Sequence, residues 1–439
     1  MLNRLYNLWA TLRTGFWFVP TLMAFSAIGL AFIALNLDAN LPEEKARQFW
    51  LHSGGPDDAR NLLSTVFSSM VTMATLVISI TMVVLTLAAS QLGPRLVGNF
   101  MGDLRTQLVF GIFLMTIIYC LLVLRTLDSE LGVSGVPHIA ITVGTALALI
   151  NLFALLFFIH ILARSIISDT AIRRVNRDLR NSISRLLPAK GEGQPLDERP
   201  KADDVLPADF DDRAASFWLS GEGYVQAIEY GQLVELACRH KAVIRLDFRA
   251  GDFVMRGSHK ADIYPGHVLG PDLVTEIEGA ILVGEERTEV QDLEFSIRHL
   301  VEIAVRALSS GINDPFTATA VIDRLGAALA ELMRRELQSD VFCDEDGAVR
   351  VIGQASSFRG FVDVAFHQIR RAAATHPAVI IHMLNIVAQL AANIRLSSQR
   401  DVLIDHAAII AEAGRRGALE ASDIADIELS YQAAKIALK

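Results

Sequence analysis

Four long apolar stretches lie in the first 163 residues, and they constrain the fold more than any other feature of the chain. A bilayer has a hydrocarbon core about 30 Å thick, which a helix of about 20 apolar residues can cross. The stretches have this length and carry almost no charge, so we predict four transmembrane helices. They occupy residues 16–35, 62–90, 108–126 and 138–163.

The second stretch, residues 62–90, combines an apolar sequence with regularly spaced hydroxyl side chains. At about 100° per residue, seven of these hydroxyls fall within an arc of roughly 80° on one face of a helix. Thr81 lies on the opposite side. This hydroxyl stripe consists of Thr65, Ser68, Thr72, Thr75, Ser79, Thr86 and Ser90.

Two interpretations of the hydroxyl stripe remain open from the sequence. Hydroxyls can replace part of the hydration shell of an ion without a charge that traps it, so the stripe could line a pore. Small and hydroxylated side chains also let helices approach closely, so the stripe could pack inside the bundle. No carboxylate lies among the predicted stripe positions, which argues against a charge-selective ring and against ion-coupled transport.

The distribution of arginine predicts the orientation of the spans. The loop 89–107 contains Arg95 and Arg105, whereas the loops before and after it in the membrane part are mainly acidic. Basic residues favour the cytoplasmic side, so both termini are predicted to be cytoplasmic. Residues 164–187 form a predicted basic helix that leaves the membrane and suits anionic lipid headgroups. Its arginines are Arg164, Arg173, Arg174, Arg177, Arg180 and Arg185.

The remainder of the chain has the composition of a soluble α+β domain. Charged residues make up 20% of the whole sequence, which is too many for a protein that lies entirely in the membrane. We therefore predict a membrane α-helical part with four transmembrane helices, followed by a cytoplasmic α+β domain. The predicted boundaries are 1–187 for the transmembrane domain with its exit helix, 188–216 for an acidic linker, 217–285 for a small β-rich unit, and 286–439 for a mainly helical part.

Within the helical part, we expect helices near 290–308 and 315–338 to be joined by the loop SSGINDPFT. The free amides after Asn313 favour anions, because they lie at a helix N-terminus. Together with Arg298 and Arg306 they could bind a small anionic ligand. Asp314, an N-cap followed by proline, could itself take the place of the anion, so a structural polar network that fixes the turn is the alternative. Further helices are expected near 358–374, 377–396, 400–415 and 420–437.

Enzyme motifs are absent from the sequence, which contains no GxSxG, GxxxxGK[ST], HExxH or strand-linked GxGxxG pattern. We therefore predict no enzyme, no catalytic residues and no cofactor. The net charge of −9 argues against nucleic-acid binding. The histidines at 376, 382 and 406 follow no ligand spacing, and Asp363 with His367 is typical of a surface pair. No metal site is predicted.

Five strings occur in an order that resembles a known bacterial family. They are GFWFVPTLM, ASQLGPRLVGNFMGD, YCLLVLRT, GDFVMRG and RALSSGINDPFTATAVIDRLG. The chain is similar over nearly its whole length to the predicted inner-membrane proteins of domain of unknown function 2254, although the position of Ser310 is often proline there. The resemblance implies an inner-membrane location and four helices, and it implies no activity.

These observations lead to a functional hypothesis with one alternative. The hypothesis is a homo-oligomeric, channel-like inner-membrane protein whose second span lines a passive path for ions or small solutes, with a cytoplasmic regulatory domain. A single four-helix subunit has little room for a pore, so this interpretation requires several copies. The alternative is a membrane-anchored sensor or scaffold that binds a ligand or a protein partner. The expected partners are the lipid bilayer, further copies of the chain and a small anionic ligand, without nucleic acid.

Overall fold

The computed structural model describes residues 17–39, 55–92, 104–127, 136–165, 168–187, 205–258 and 260–439. The described side chains do not include those of residues 88–92 and 162–171, and most of the predicted linker lies outside the described residues. The chain divides into two compact units, Met1–Ala171 and Ile172–Lys439, called here the N-terminal and C-terminal units. The predicted fold class is confirmed, since four apolar helices precede a mixed α/β region with a helical end.

The N-terminal unit contains four helices that are long and apolar enough to cross a membrane, with mean hydropathies of 2.1 to 2.5. The second begins six residues before its predicted start at residue 62. A helix of 37 residues is about 55 Å long, well beyond the roughly 30 Å of a hydrocarbon core. The four helices are α1 (Phe18–Ala39), α2 (Pro56–Leu92), α3 (Leu104–Thr126) and α4 (His138–Ser165).

A few hydrogen bonds join the helices of this bundle. Asn151 donates from Nδ2 to the hydroxyl of Thr116, at 2.6 Å, across the α3–α4 contact. The hydroxyl of Tyr119 donates to the carbonyl of Ala140, at 2.8 Å. At the end of α1, the carboxylate of Asp38 accepts hydrogen bonds from two amides in the first turn of α4. The bonds of Tyr119 and Asp38 lie at the start of α4, the bond of Asn151 lies near the middle of its helix, and apolar side chains form a core around them.

The basic helix that follows, α5 (Ser168–Leu186), packs mainly within the C-terminal unit. Its buried side chains recur three or four residues apart: Ile172, Val175, Leu179 and Ile183. Arg180 forms an ion pair with Glu331 at 3.2 Å. Its arginines predict a helix that belongs to the transmembrane domain. Its buried apolar side chains pack in the C-terminal unit instead.

Two small sheets follow α5 in the C-terminal unit. One has the order β1-β5-β3-β8-β7, in which only β3 and β8 run parallel, and the other has the order β4-β2-β6. The segment VFCDEDGAVRVI, residues 341–352, forms the antiparallel β7–β8 hairpin. The elements of this region are α6 (Phe210–Arg213), β1 (Ala215–Trp218), β2 (Gly223–Ile228), α7 (Tyr230–Arg239), β3 (Val243–Leu246), β4 (Phe253–Val254), β5 (Lys260–Tyr264), α8 (Pro271–Gly279), β6 (Ile281–Gly284), β7 (Val341–Cys343) and β8 (Val349–Ile352).

Six longer helices complete the unit, two before the β7–β8 hairpin and four after it. Three of them begin at a residue with a clear start signal: Pro315 and Pro377 occupy first helical positions, and Ser357 caps the helix that begins at Phe358. The helices are α9 (Leu293–Ala307), α10 (Pro315–Leu332), α11 (Phe358–Ala372), α12 (Pro377–Leu390), α13 (Ser397–Gly417) and α14 (Ala421–Ala437).

Candidate functional site

Helix α2 has two opposite faces. Its buried side chains form one narrow face toward the other helices of the bundle. At about 100° per residue, the centre of this face lies about 180° from the centre of the hydroxyl stripe. The stripe therefore points away from the bundle to which α2 belongs. The buried side chains are Ala59, Leu63, Met70, Val77, Thr81 and Leu85.

Six of the predicted pore-lining hydroxyls are exposed on this outer face, and the side chain of Ser90 lies outside the described residues. Thr81, on the opposite face, is only 4% exposed. Packing inside the bundle of the same subunit was one interpretation of the stripe, and the described hydroxyls do not take that position. The exposed positions are Thr65, Ser68, Thr72, Thr75, Ser79 and Thr86.

Five of the six described hydroxyls of the stripe are satisfied within their own helix. Thr72 donates to the carbonyl of Ser68, and Ser79 donates to the carbonyl of Thr75, both at 2.9 Å. Thr65, Thr75 and Thr86 make the same bond to the carbonyl four residues earlier. Because the donor is used locally, each oxygen keeps acceptor capacity toward the outside of the helix. The outer face of α2 is thus a row of weak acceptors.

The early start of α2 adds two polar residues to the stripe. Counted at about 100° per residue, Asp57 and Asn61 fall in the same arc as the hydroxyls, and both are exposed. The polar face of α2 therefore extends beyond the hydroxyl stripe and begins with a carboxylate, Asp57, which precedes the span predicted from the sequence. A start signal was present in the sequence, because Pro56 is a first-turn proline followed by two acidic residues.

The predicted anion site at the start of α10 is occupied by a carboxylate of the chain. Asp314 accepts hydrogen bonds from the amides of Phe316 and Thr317, each at 3.1 Å. The hydroxyl of Thr317 also donates to Asp314, at 2.6 Å. These bonds, led by the one from the Thr317 hydroxyl, lower the pKa of Asp314. The amides expected to hold a ligand are bonded to Asp314 instead.

The other residues of that predicted site have separate surroundings. Asn313 has a left-handed backbone (φ 48°), a conformation that asparagine tolerates, and its Oδ1 lies 3.0 Å from Nε2 of His376. Arg306 lies 4.0 Å from Glu302, while Arg298 is exposed on α9. The loop therefore has the features of a fixed turn between two packed helices.

A buried ion pair at the start of α9 was not found from the sequence. Arg249 donates to both carboxylate oxygens of Glu294, at 2.8 and 2.9 Å, and to the hydroxyl of Ser356, at 2.7 Å. The Glu294 side chain is only 4% exposed. Nearby, Gln291 bonds both the amide and the carbonyl of Ile228. These contacts join residues at least 45 positions apart, so no local spacing indicates them.

Comparison with known proteins identifies the group to which the chain is related. A family model described as a predicted membrane protein, domain of unknown function 2254, matches residues 13–389. The chain belongs to this family. Uncharacterised proteins of Mycobacterium bovis and Mycobacterium tuberculosis are 30% identical to it over 429 residues, which is 96% of this chain and 80% of theirs. No solved structure matches.

This member of the family also brings two histidines and an aspartate together between α11 and α13. Oδ1 of Asp363 lies 2.8 Å from Nε2 of His406 and 3.1 Å from Nε2 of His367. Burial lowers the pKa of His406, against the opposing effect of Asp363. The histidines at 376 and 382 have other neighbours, Asn313 and Asp323. The sequence indicated neither the third residue nor the convergence.

Proposed function

We propose that the protein is a homo-oligomeric conduit of the bacterial inner membrane, through which ions or small solutes pass passively. In this proposal α2 lines the path and the C-terminal unit is a cytoplasmic regulatory domain without enzyme activity. The observation that carries the proposal is the position of the hydroxyl stripe, which lies opposite the buried face of α2. Membership of a membrane-protein family supports the location.

The outward stripe is the reason for an oligomer. Apolar side chains such as Leu63, Tyr119 and Ile141 fill the interior of the single bundle. A polar path therefore needs the outer face of α2, and this face becomes an inner wall only when several copies surround an axis. Small and hydroxylated side chains along the stripe would let neighbouring α2 helices approach closely. Lipid would surround the other exposed, apolar side chains of the bundle.

The chemistry of the stripe favours cations. The outward hydroxyl oxygens can accept hydrogen bonds or coordinate an ion, because their hydrogens are already bonded within the helix. Such oxygens replace water around a cation better than around an anion. In an oligomer, Asp57 would form a carboxylate ring at one end of the path, where acidic rings select cations. The hydroxyl stripe beyond that ring carries no carboxylate, so passive passage is favoured over coupled transport.

The arginine distribution supplies the proposed orientation. The excess of arginine in the loop 89–107 and after α4 favours a cytoplasmic location for both segments. The N-terminal end of α2, with Asp57, would then lie on the outer side of the membrane. The C-terminal unit would lie in the cytoplasm, where it could respond to a ligand or a partner. Reporter fusions after residues 39 and 439 test this orientation directly.

Cysteine accessibility tests the lining. In a background with Cys238→Ser and Cys343→Ser, which removes the two cysteines that are not fully buried, Thr72→Cys and Ser79→Cys should react with a charged, water-soluble thiol reagent. Thr81→Cys is the matched control, because it replaces a threonine of the same helix on the buried face. We expect reaction at the two stripe positions, none at the control, and cation currents in planar bilayers.

Each other outcome excludes part of the proposal. If the stripe cysteines resist the reagent but form disulfides between copies, the stripe is a dry oligomer interface and conduction is rejected. If they neither react nor cross-link, the stripe faces lipid and the oligomer around α2 is rejected too. Silent planar bilayers that contain a verified oligomer would reject conduction independently of the labelling.

A further inference from the structure

A cluster of metal-binding side chain types lies in the helical part of the C-terminal unit. Asp363 and His367 are four residues apart on α11, so they are neighbours on one helix face. His406 reaches them from α13, and its side chain is 99% buried, since only 1% is exposed. The rings of His367 and His406 are stacked, with centroids 5.1 Å apart. Both Nε2 atoms lie within 3.1 Å of the same carboxylate oxygen.

We propose that Asp363, His367 and His406 form a binding site for a divalent first-row transition-metal ion, of which Zn²⁺ is the representative. The three residues each offer one ligand atom, and all three atoms lie within 4.8 Å of one another. Two imidazole nitrogens and one carboxylate oxygen are a donor set that proteins use for such ions with one or more positions left open. This proposal does not depend on conduction through α2.

The distances are close to those of a bound ion. Ligand atoms at about 2.0–2.1 Å from a tetrahedral metal lie roughly 3.3 Å from one another. The two separations that involve Asp363 are 2.8 and 3.1 Å, a few tenths of an ångström shorter, and the two imidazole nitrogens lie within 4.8 Å of each other. Asp363 and His367 are 35% and 39% exposed, which lets them move and gives the ion access from solvent. His406 is the rigid ligand.

The surroundings of His406 support a binding role over simple packing. Its Nδ1 is buried and has no hydrogen-bond partner among the described residues. Buried polar atoms in folded proteins are nearly always bonded, so a fully buried imidazole is costly unless its ring nitrogens have partners. An apolar side chain would fill the same space between α11 and α13 without that cost. The contact of Nε2 with the carboxylate of Asp363, at 2.8 Å, gives that nitrogen a partner and directs it toward the proposed ion.

The charged side chains around the three ligands are compatible with a bound divalent cation. Arg359 lies one turn before Asp363 on α11, and its guanidinium pairs with Asp405 at 2.7 Å. The positive charge of Arg359 is therefore met by a carboxylate of α13. Asp363 adds one further negative charge to the site, while the imidazoles bind metals in their neutral form. A bound ion would connect α11 to α13, two helices that are far apart in the sequence.

Metal titration of the full-length protein in detergent, purified without a histidine tag, tests the site. We expect wild type to bind one equivalent of Zn²⁺ in calorimetry, and His367→Ala to bind it at least tenfold more weakly. His382→Ala is the matched control, because His382 also contacts a single aspartate, Asp323, at 2.7 Å, and should keep wild-type affinity. Equal affinity of wild type and His367→Ala, or no saturable binding by wild type, overturns the proposal.

A spectroscopic variant separates ligation from an indirect effect on folding. With His367→Cys, added Co²⁺ should give a thiolate-to-cobalt charge-transfer band in the near ultraviolet, which the wild-type complex lacks. The side chain of residue 367 is 39% exposed, so this substitution leaves the core intact, and circular dichroism with gel filtration verifies the fold. A folded His367→Cys protein that takes up Co²⁺ without the band would show that residue 367 is not a ligand.

Discussion

The hydroxyl stripe of α2 and the long-range polar pairs of the C-terminal unit satisfy their polar groups in different ways. In the N-terminal unit, the stripe hydroxyls of α2 bond carbonyls four residues earlier in the same helix. In the C-terminal unit, Arg249 and Glu294 are 45 residues apart, and His406 and Asp363 are 43 residues apart. The stripe uses local bonds, whereas these two pairs use bonds that only the tertiary fold brings together.

This difference has consequences for what each unit can do. A local bond is present wherever the helix is formed. The stripe hydroxyls therefore make α2 more polar without needing contacts with the other helices of the bundle. A long-range pair between buried groups exists only in the folded unit, and its loss leaves a charge without a partner. The polar residues of the stripe are therefore separable from stability, whereas the buried long-range pairs of the C-terminal unit are not. Three substitutions test this comparison.

The largest effect is expected for Glu294→Ala. The substitution leaves the mostly buried Arg249 guanidinium with only a longer contact, 4.0 Å, to the carboxylate of Asp252, which costs about 3 kcal/mol of unfolding free energy. The midpoint of urea unfolding measures the change. The control is Glu276→Ala, which breaks the exposed pair of Arg239 and Glu276 and should cost about 0–1 kcal/mol. If the two variants lose the same stability, the long-range pair is not what distinguishes the C-terminal unit.

A smaller effect is expected for Asp314→Ala, which removes the N-cap of α10 and should cost about 1 kcal/mol at pH 7. The folded pKa of Asp314 lies below its ordinary value of 3.8. Its stabilisation is therefore complete above that value and is lost as the pH falls through the folded pKa. The difference in urea midpoint between wild type and variant should shrink between pH 7 and pH 3.

A second variant separates the cap from its charge. Asp314→Asn keeps an N-cap acceptor that does not titrate, so its stability difference from Asp314→Ala should stay constant with pH. If the stability difference between wild type and Asp314→Ala is also independent of pH, Asp314 contributes only as a hydrogen-bond acceptor and its charge has no effect. The charge of Asp314 would then be unimportant for the turn. A ligand at the amides of Phe316 and Thr317 would have to replace only the hydrogen bonds of the N-cap.

Local patterns predicted well what local physics determines. Hydropathy identified the four apolar helices, and helical periodicity placed the hydroxyls of residues 65–86 on one face. The start of α2 was missed because hydropathy falls at Asp57 and Asp58, although Pro56 is a helix-start signal. Because of that error, Asp57 was not recognised as part of the polar face of α2. Hydropathy, helical periodicity and the helix-start proline are all signals that neighbouring residues of a single helix supply.

Features that depend on the packing of distant elements were not predictable. Asp363 and His367 could be seen as neighbours on one helix, but His406 comes from α13, and no spacing rule brings it to them. Arg249 likewise meets Glu294 through the placement of α9 against a sheet loop. The interpretation of α5 also depended on packing, because its arginines indicated the membrane while its buried stripe joins the second unit.

The smallest effect on stability is expected for Thr72→Val in the hydroxyl stripe. Thr72 is exposed and its hydroxyl donates only to the carbonyl of Ser68 in the same helix, so the thermal midpoint should change by the equivalent of no more than about 0.5 kcal/mol. Unitary conductance in planar bilayers should nevertheless fall, because one ring of acceptors is removed. Thr81→Val on the buried face makes the same chemical change and should leave conductance unchanged. A Thr72→Val oligomer that dissociates while Thr81→Val stays assembled would instead make the stripe a packing surface between copies.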